Sequence, residues 1–177
     1  MSNIERIEKL RKSFKPRRIS ILLVGESPPE QGKFFYEGGA LHNATRDAFK
    51  NAFDLRFDER EFLNCFRDSG CYLDDISEDP VNKKDDLDRN YKLILCIPEL
   101  EKRLREYSPK IIVVIMKKIG FFVKYAAMLS ELKDTKIYYF PFPAYKKRNK
   151  EEYVRELSNI FKSAAKSNKI ELSKRCT

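Results

Sequence analysis

Ile111-Ile112-Val113-Val114-Ile115-Met116 is an uninterrupted apolar run, entered through Ser108-Pro109 and left through Lys117-Lys118. A continuous β-branched run of this length is the signature of a strand buried on both faces of a parallel sheet. Parallel strands need crossover connections, and those crossovers place helices over both faces of the sheet. Ile19 to Val24 has the same apolar character and breaks straight into Gly25-Glu26-Ser27-Pro28-Pro29. That pattern is a strand feeding a rigid loop. In an open α/β sheet, ligands bind in the crevice at the carboxyl ends of the strands, so this loop borders the expected site. The aromatic rings of Phe34-Phe35-Tyr36 follow a few residues on and suit a flat ligand such as a base.

The rest of the chain alternates strand and helix. Ile4, Ile7, Leu10, Arg11 and Phe14 recur at helical spacing, and Pro16 stops that helix before the first strand. Asn43 to Phe53 reads as a helix with Ala44, Ala48, Phe49 and Ala52 on one face, and Phe62 to Cys65 as a short second strand. Asp68 to Arg89 carries Asp74-Asp75, Glu78-Asp79 and Asp85-Asp86 without periodicity, and reads as a long acidic loop. Leu93 to Tyr107 has helical spacing and ends at Pro109. Gly120 to Leu129 reads as a helix, Lys136 to Phe140 as the fourth strand, and Glu151 to Ala165 as a closing helix. The expectation is one domain over residues 1–177, an α/β three-layer α/β/α sandwich around a central, mainly parallel four-stranded sheet.

Composition sets the partners. At 177 residues, 42% of them hydrophobic, the chain can bury a core of its own. The 36 Lys and Arg against 27 Asp and Glu leave a formal net charge of +9, which favours a polyanionic partner, nucleic acid before membrane, over the alternative of a merely soluble basic surface. No basic-then-apolar leader opens the sequence, and no stretch of roughly 18 apolar residues is present to span a bilayer. The expected state is a cytoplasmic monomer with no membrane contact. In that compartment Cys65, Cys71, Cys96 and Cys176 are expected as reduced thiols, and none of them forms a CxxC pair.

Loops that follow the strands converge at one edge of such a sheet. The segments expected to meet are Gly25 to Tyr36, Asn64 to Asp68, Met116 to Gly120 and Pro141 to Asn149. In the last, two prolines stiffen a turn that leads into Tyr145-Lys146-Lys147-Arg148, a pattern suited to gripping a phosphate chain. Lys117 and Lys118, where the third strand meets the next helix, are further phosphate candidates. All of these lysines are equally readable as a solvated rim.

These segments together resemble the uracil-DNA glycosylase superfamily, most closely its thermophile-type branch. That branch ends its first strand in Gly-Glu-Ala-Pro-Gly, and this chain has Gly25-Glu26-Ser27-Pro28-Pro29. Gly32-Lys33-Phe34-Phe35-Tyr36 is similar to its Gly-Arg-Pro-Phe-Val-Gly, with Phe35 at the phenylalanine that stacks on extruded uracil. Asn64 in Phe62-Leu63-Asn64-Cys65 matches the asparagine that reads the base edge. Cys96-Ile97-Pro98-Glu99-Leu100 matches the branch's Cys-x-Pro-x-Leu, and Ser108 to Met116 mirrors its Arg-Pro-Lys-Val-Ile-Val-Ala-Leu-Gly. Phe142-Pro143-Ala144-Tyr145-Lys146-Lys147-Arg148-Asn149 resembles its His-Pro-Ala-Tyr-Leu-Leu-Arg-Asn. The patches run in order from Ile19 to Asn149.

The departures fall on chemistry. Phe142 stands where the family has a histidine that donates toward the departing base, Met116 stands for a glycine, and Pro29 replaces a glycine and removes an amide. The chain's one histidine, His42, begins the helix after the first loop and is read as structural. The branch usually holds an iron-sulfur cluster on four cysteines, including a pair upstream of the first strand. Here no cysteine precedes Ile19, and Cys96 with Cys71 supplies two ligands at most, so no cofactor and no metal is expected.

The resemblance implies a DNA glycosylase-like protein that hydrolyses the N-glycosidic bond of uracil or another deaminated base, or a catalytically weak or inactive nucleic-acid or nucleotide binder on the same fold. Glu26 is the candidate catalytic carboxylate, orienting water or stabilising a cationic sugar; its plainer role is capping its own loop. Phe35, Asn64 and Phe142 are the candidate base-binding residues, and Ser27, Lys117, Lys118, Tyr145, Lys146, Lys147 and Arg148 the phosphate-binding ones. Phe35 is also readable as core, and Asn64 as a strand-end residue satisfying local backbone. Asp68 is a further carboxylate expected near the same edge.

Overall fold

The computed structural model of the chain describes residues 2–55, 59–81, 85–172 and 176. Among them are four strands and seven α-helices. In chain order they are α1 (Asn3–Ser13), β1 (Ile21–Gly25), α2 (Ala40–Phe53), α3 (Glu59–Asp68), β2 (Cys71–Asp75), α4 (Asp86–Leu95), α5 (Ile97–Tyr107), β3 (Ile111–Val114), α6 (Gly120–Leu129), β4 (Lys136–Tyr139) and α7 (Lys147–Lys166). The sheet order is β2-β1-β3-β4 and every pairing is parallel. All residues of β1 and β3 are buried, as a strand covered on both faces must be. Helices α2, α3 and α7 pack with one another, α5 packs with α6 and α4, and the sheet lies between the two groups. The expected α/β/α sandwich is the observed architecture.

The second strand is not where periodicity placed it. Phe62 to Cys65 lies inside α3, where Phe62, Leu63, Cys65 and Phe66 form the buried face of an amphipathic helix. The strand is Cys71–Asp75, inside the stretch expected to be an acidic loop. Two adjacent aspartates there are fully enclosed because distant arginines reach them. Arg11 of α1 donates to Asp74 Oδ1 at 2.8 Å and to Asp75 Oδ2 at 2.9 Å, and Arg103 of α5 donates to Asp74 Oδ2 at 2.8 Å. Buried carboxylates are tolerable only when paired in this way. The same stretch also contains the start of α4, whose N-cap Asp85 accepts from the Asp88 amide. The single helix expected over Leu93–Tyr107 is split at Cys96, where α4 ends and α5 begins with Pro98 in its first turn.

Cys65 of α3 and Cys176 are disulfide-bonded across a separation of 111 residues, which overturns the reduced-thiol expectation for that pair. The fold holds their Cα atoms 5.6 Å apart, within bridging range. Cys71 and Cys96 are free; Cys71 is enclosed in β2, and burial pushes its thiol up. No helix among the described residues is long and apolar enough to cross a membrane.

Candidate functional site

The chain steps from β1 outward to β2 and then returns to the other side of β1 for β3. Between β1 and β3 the direction of winding reverses, and the carboxyl ends of those two strands open a crevice. A cavity of about 330 Å³ lies there, at the lower end of the range for small-molecule sites. Gly25, Glu26 and Ser27 line it where β1 ends, Ile115, Met116 and Lys118 from the segment that follows β3, and Asp75 from the end of β2. Phe34, Phe35, Phe142, Tyr145, Lys33 and Arg89 complete its wall.

Backbone bonds on both sides fix the floor. The Ile76 and Ser77 amides donate to the Gly25 and Glu26 carbonyls at 3.0 Å each, and the Ile115 amide donates to the Val24 carbonyl at 3.0 Å. The sheet thus continues one residue beyond its ladder and presents Glu26 at the mouth of the crevice. Gly25 is required here for space: a Cβ on it would collide with the Asp75 carboxylate, its partner in the β1–β2 register. Ser27, a phosphate candidate from sequence, accepts from the Val81 amide at 3.2 Å and pins the loop after β2.

Glu26 is only 5% exposed. Its Oε1 accepts no hydrogen bond, yet Arg89 Nε stands 3.5 Å and Lys118 Nζ 3.6 Å from it. Its carboxylate is therefore balanced in charge by two side chains from different elements while keeping a free lone pair. Asp75, 4% exposed, is the second carboxyl group in the wall. Burial pushes it up to about 6, against the pull of the Arg11 guanidinium.

The aromatic candidates divide. Phe35 lines the cavity but is also packed into core, with ring centroids 4.9 Å from Tyr36 and 5.9 Å from Phe66. His42 holds it from behind by donating from Nδ1 to the Phe35 carbonyl at 3.0 Å, a structural role. Phe142 also lines the cavity, its ring 5.6 Å from that of Tyr145. Tyr145 is 84% exposed and forms the rim.

Glu26, Phe35, Phe142, Ser27, Lys118 and Tyr145 are thus brought together, and others are not. Asn64 lies within α3 and does not line the cavity; the residue that ends the second strand is Asp75. Asp68, which ends α3 and pairs with Arg67, lines a groove with Lys15, Arg17 and Gly70 at the amino end of β2, the opposite edge of the sheet. Lys117 turns outward to Glu152, at 3.3 Å. Lys146, Lys147 and Arg148 are exposed where α7 begins, and Lys147 lines a shallow groove with Lys50 and Lys150 between α2 and α7. Sequence reasoning missed Asp75 and Arg89. The apolar triplet Cys71-Tyr72-Leu73 after a Ser-Gly turn was the one local signal for the first, and nothing local marked the second. No group of three His, Cys, Asp or Glu side chains among the described residues is arranged to hold a metal ion.

No protein-family model matches the chain, and no curated protein matches it at a significant level.

Proposed function

We propose that this cavity accepts a base turned out of DNA and that the protein hydrolyses the N-glycosidic bond of uracil or another deaminated base, as a monomer acting in base excision repair. One observation supports this above the others. A buried carboxylate with an unused lone pair, Glu26, stands at the reversal point of the sheet beside a cavity walled by Phe35 and Phe142. Flat walls suit a heterocycle, and a desolvated carboxylate suits a reaction that develops positive charge on a sugar.

In such a reaction the bond between the sugar C1′ and the base nitrogen breaks, and the bonding pair leaves with the base. Water adds to C1′ and gives up its proton to Glu26. Arg89 and Lys118, beside Glu26, keep positive charge in the cavity. The basic Lys146-Lys147-Arg148 run, beside the rim residue Tyr145, gives the phosphate chain a path away from the cavity.

Incubation with single- and double-stranded oligonucleotides carrying uracil, hypoxanthine or xanthine, followed by alkali, tests the activity. Cleavage at the modified base by the wild type, lost in Glu26→Gln, is the expected result. Intact strands at stoichiometric protein would sink the proposal for those bases. A silent binder is the second reading, favoured by Phe142, whose ring offers no N–H donor to a leaving base. It is distinguished by salt-sensitive DNA binding without cleavage.

A further inference from the structure

We infer that Glu26 occupies an anion site of its own: Arg89 and Lys118 are a phosphate-binding pair that Glu26 holds closed until a ligand phosphate group displaces its carboxylate. The two cations come from separate elements, α4 and the turn after β3, and converge on a single oxygen. Neither makes a hydrogen bond to it, at 3.5 and 3.6 Å, and that oxygen is buried with no other donor. A carboxylate built as the proper ligand of an arginine sits closer and is commonly held by two parallel N–H bonds. Arg11 does reach both of its aspartates at 2.8 and 2.9 Å in this same protein, so the longer spacing at Glu26 is a property of the place.

Charge and shape match phosphate better than carboxylate. Arg89, Lys118 and Lys33 line the cavity with Glu26, while the Asp75 carboxylate is already held by Arg11. The wall therefore carries an excess of positive charge that one carboxylate only partly offsets. A guanidinium fork and a mobile ammonium together suit an oxyanion with several oxygens. Arg89 also pairs with Asp86 at 2.6 Å, but that carboxylate is 84% exposed and holds it weakly. Displacement frees Glu26 at the moment a phosphate-bearing ligand is in place, so that the carboxylate is unmasked by the substrate itself.

Because it rests on the nucleic-acid role proposed above, the test uses a ligand on which no base release occurs. Binding of a fluorescein-labelled twelve-residue thymidine oligonucleotide is followed by anisotropy across salt concentrations, with orthophosphate as a parallel ligand. Glu26→Gln is expected to tighten binding about fivefold. Arg89→Ala and Lys118→Ala are each expected to weaken it by about five- to tenfold and to lower the salt slope by about 1. Glu26→Gln made together with both alanines is expected to tighten nothing. In the wild type, the Glu26 carboxyl carbon resonance is expected to move on addition of either ligand, which keeps the test open should a variant fail to fold. Weaker or unchanged binding by Glu26→Gln, or an unmoved Glu26 resonance, overturns the inference. Orthophosphate acting where the oligonucleotide does not supports the anion site and assigns it to a small phosphate ligand. These binding changes without base release from any modified strand would remove the glycosylase and leave the anion site standing.

Discussion

The phenol of Tyr36 bonds both backbone groups of Leu73: its oxygen accepts from the Leu73 amide at 2.8 Å and donates to the Leu73 carbonyl at 3.0 Å. Strand β2 is at the edge of the sheet, and this hydroxyl takes the place of a neighbouring strand at one position. Tyr36→Phe keeps the ring stacked on Phe14 but leaves two buried backbone groups without partners. A loss of about 1–3 kcal/mol is expected, measured by urea denaturation. An unchanged midpoint would show that water reaches this edge.

Asp75 is expected to make stability depend on pH. Burial raises its folded carboxyl to about 6 from the ordinary value of 3.8, so between those values the folded chain holds a proton that the unfolded chain has released. Folding is then favoured as pH falls from 7 to 5, and the ionised group is a cost above 6. Asp75→Asn cannot take up that proton. The difference in melting temperature between wild type and Asp75→Asn should shift in favour of the wild type at pH 5 relative to pH 7. A shift of opposite sign would mean that Arg11 dominates over burial.

Phe142→His restores an N–H donor on the cavity wall. Each preorganised donor at a developing anion is worth about 10²–10³ in rate. If the proposed leaving base meets the part of the cavity that Phe142 lines, single-turnover release of uracil should rise by a factor in that range. An unaltered rate in a folded variant would place the leaving base elsewhere.

The bridge between Cys65 and Cys176 closes a long loop, and cross-links of that kind typically contribute about 2–4 kcal/mol. Reduction by dithiothreitol is expected to lower stability by that amount in the wild type and to leave Cys65→Ala unaffected. Equal sensitivity in both would locate the effect in another thiol.

Strands β1, β3 and β4 and helices α1, α6 and α7 were legible because their signals are local: an apolar run, a repeat near 3.6, a proline stop. That Glu26, Phe35, Phe142 and Lys118 would line one cavity was legible for a related reason, since all follow or adjoin those strands and the sheet topology brings strand ends together. Strand β2 and helix α4 were not. The carboxylates of Asp74 and Asp75 argue against a buried strand until Arg11, 63 and 64 residues away, and Arg103, 29 residues from Asp74, are placed beside them. The error over Asn64 follows directly, because locating the second strand too early gave its terminal position to a helical residue.

The sequence by itself determined the class of fold, the parallel sheet and the edge at which the cavity lies, because burial of β-branched runs and the chirality of crossovers leave few alternatives. Tertiary structure alone decided that the second strand ends in a buried carboxyl group, that Arg89 reaches across to Glu26, and that Lys117 turns away while Lys118 turns in. Those outcomes rest on charge pairs between residues far apart in the chain. Coulombic pairing in a desolvated crevice depends on distance in space and leaves no period in the sequence.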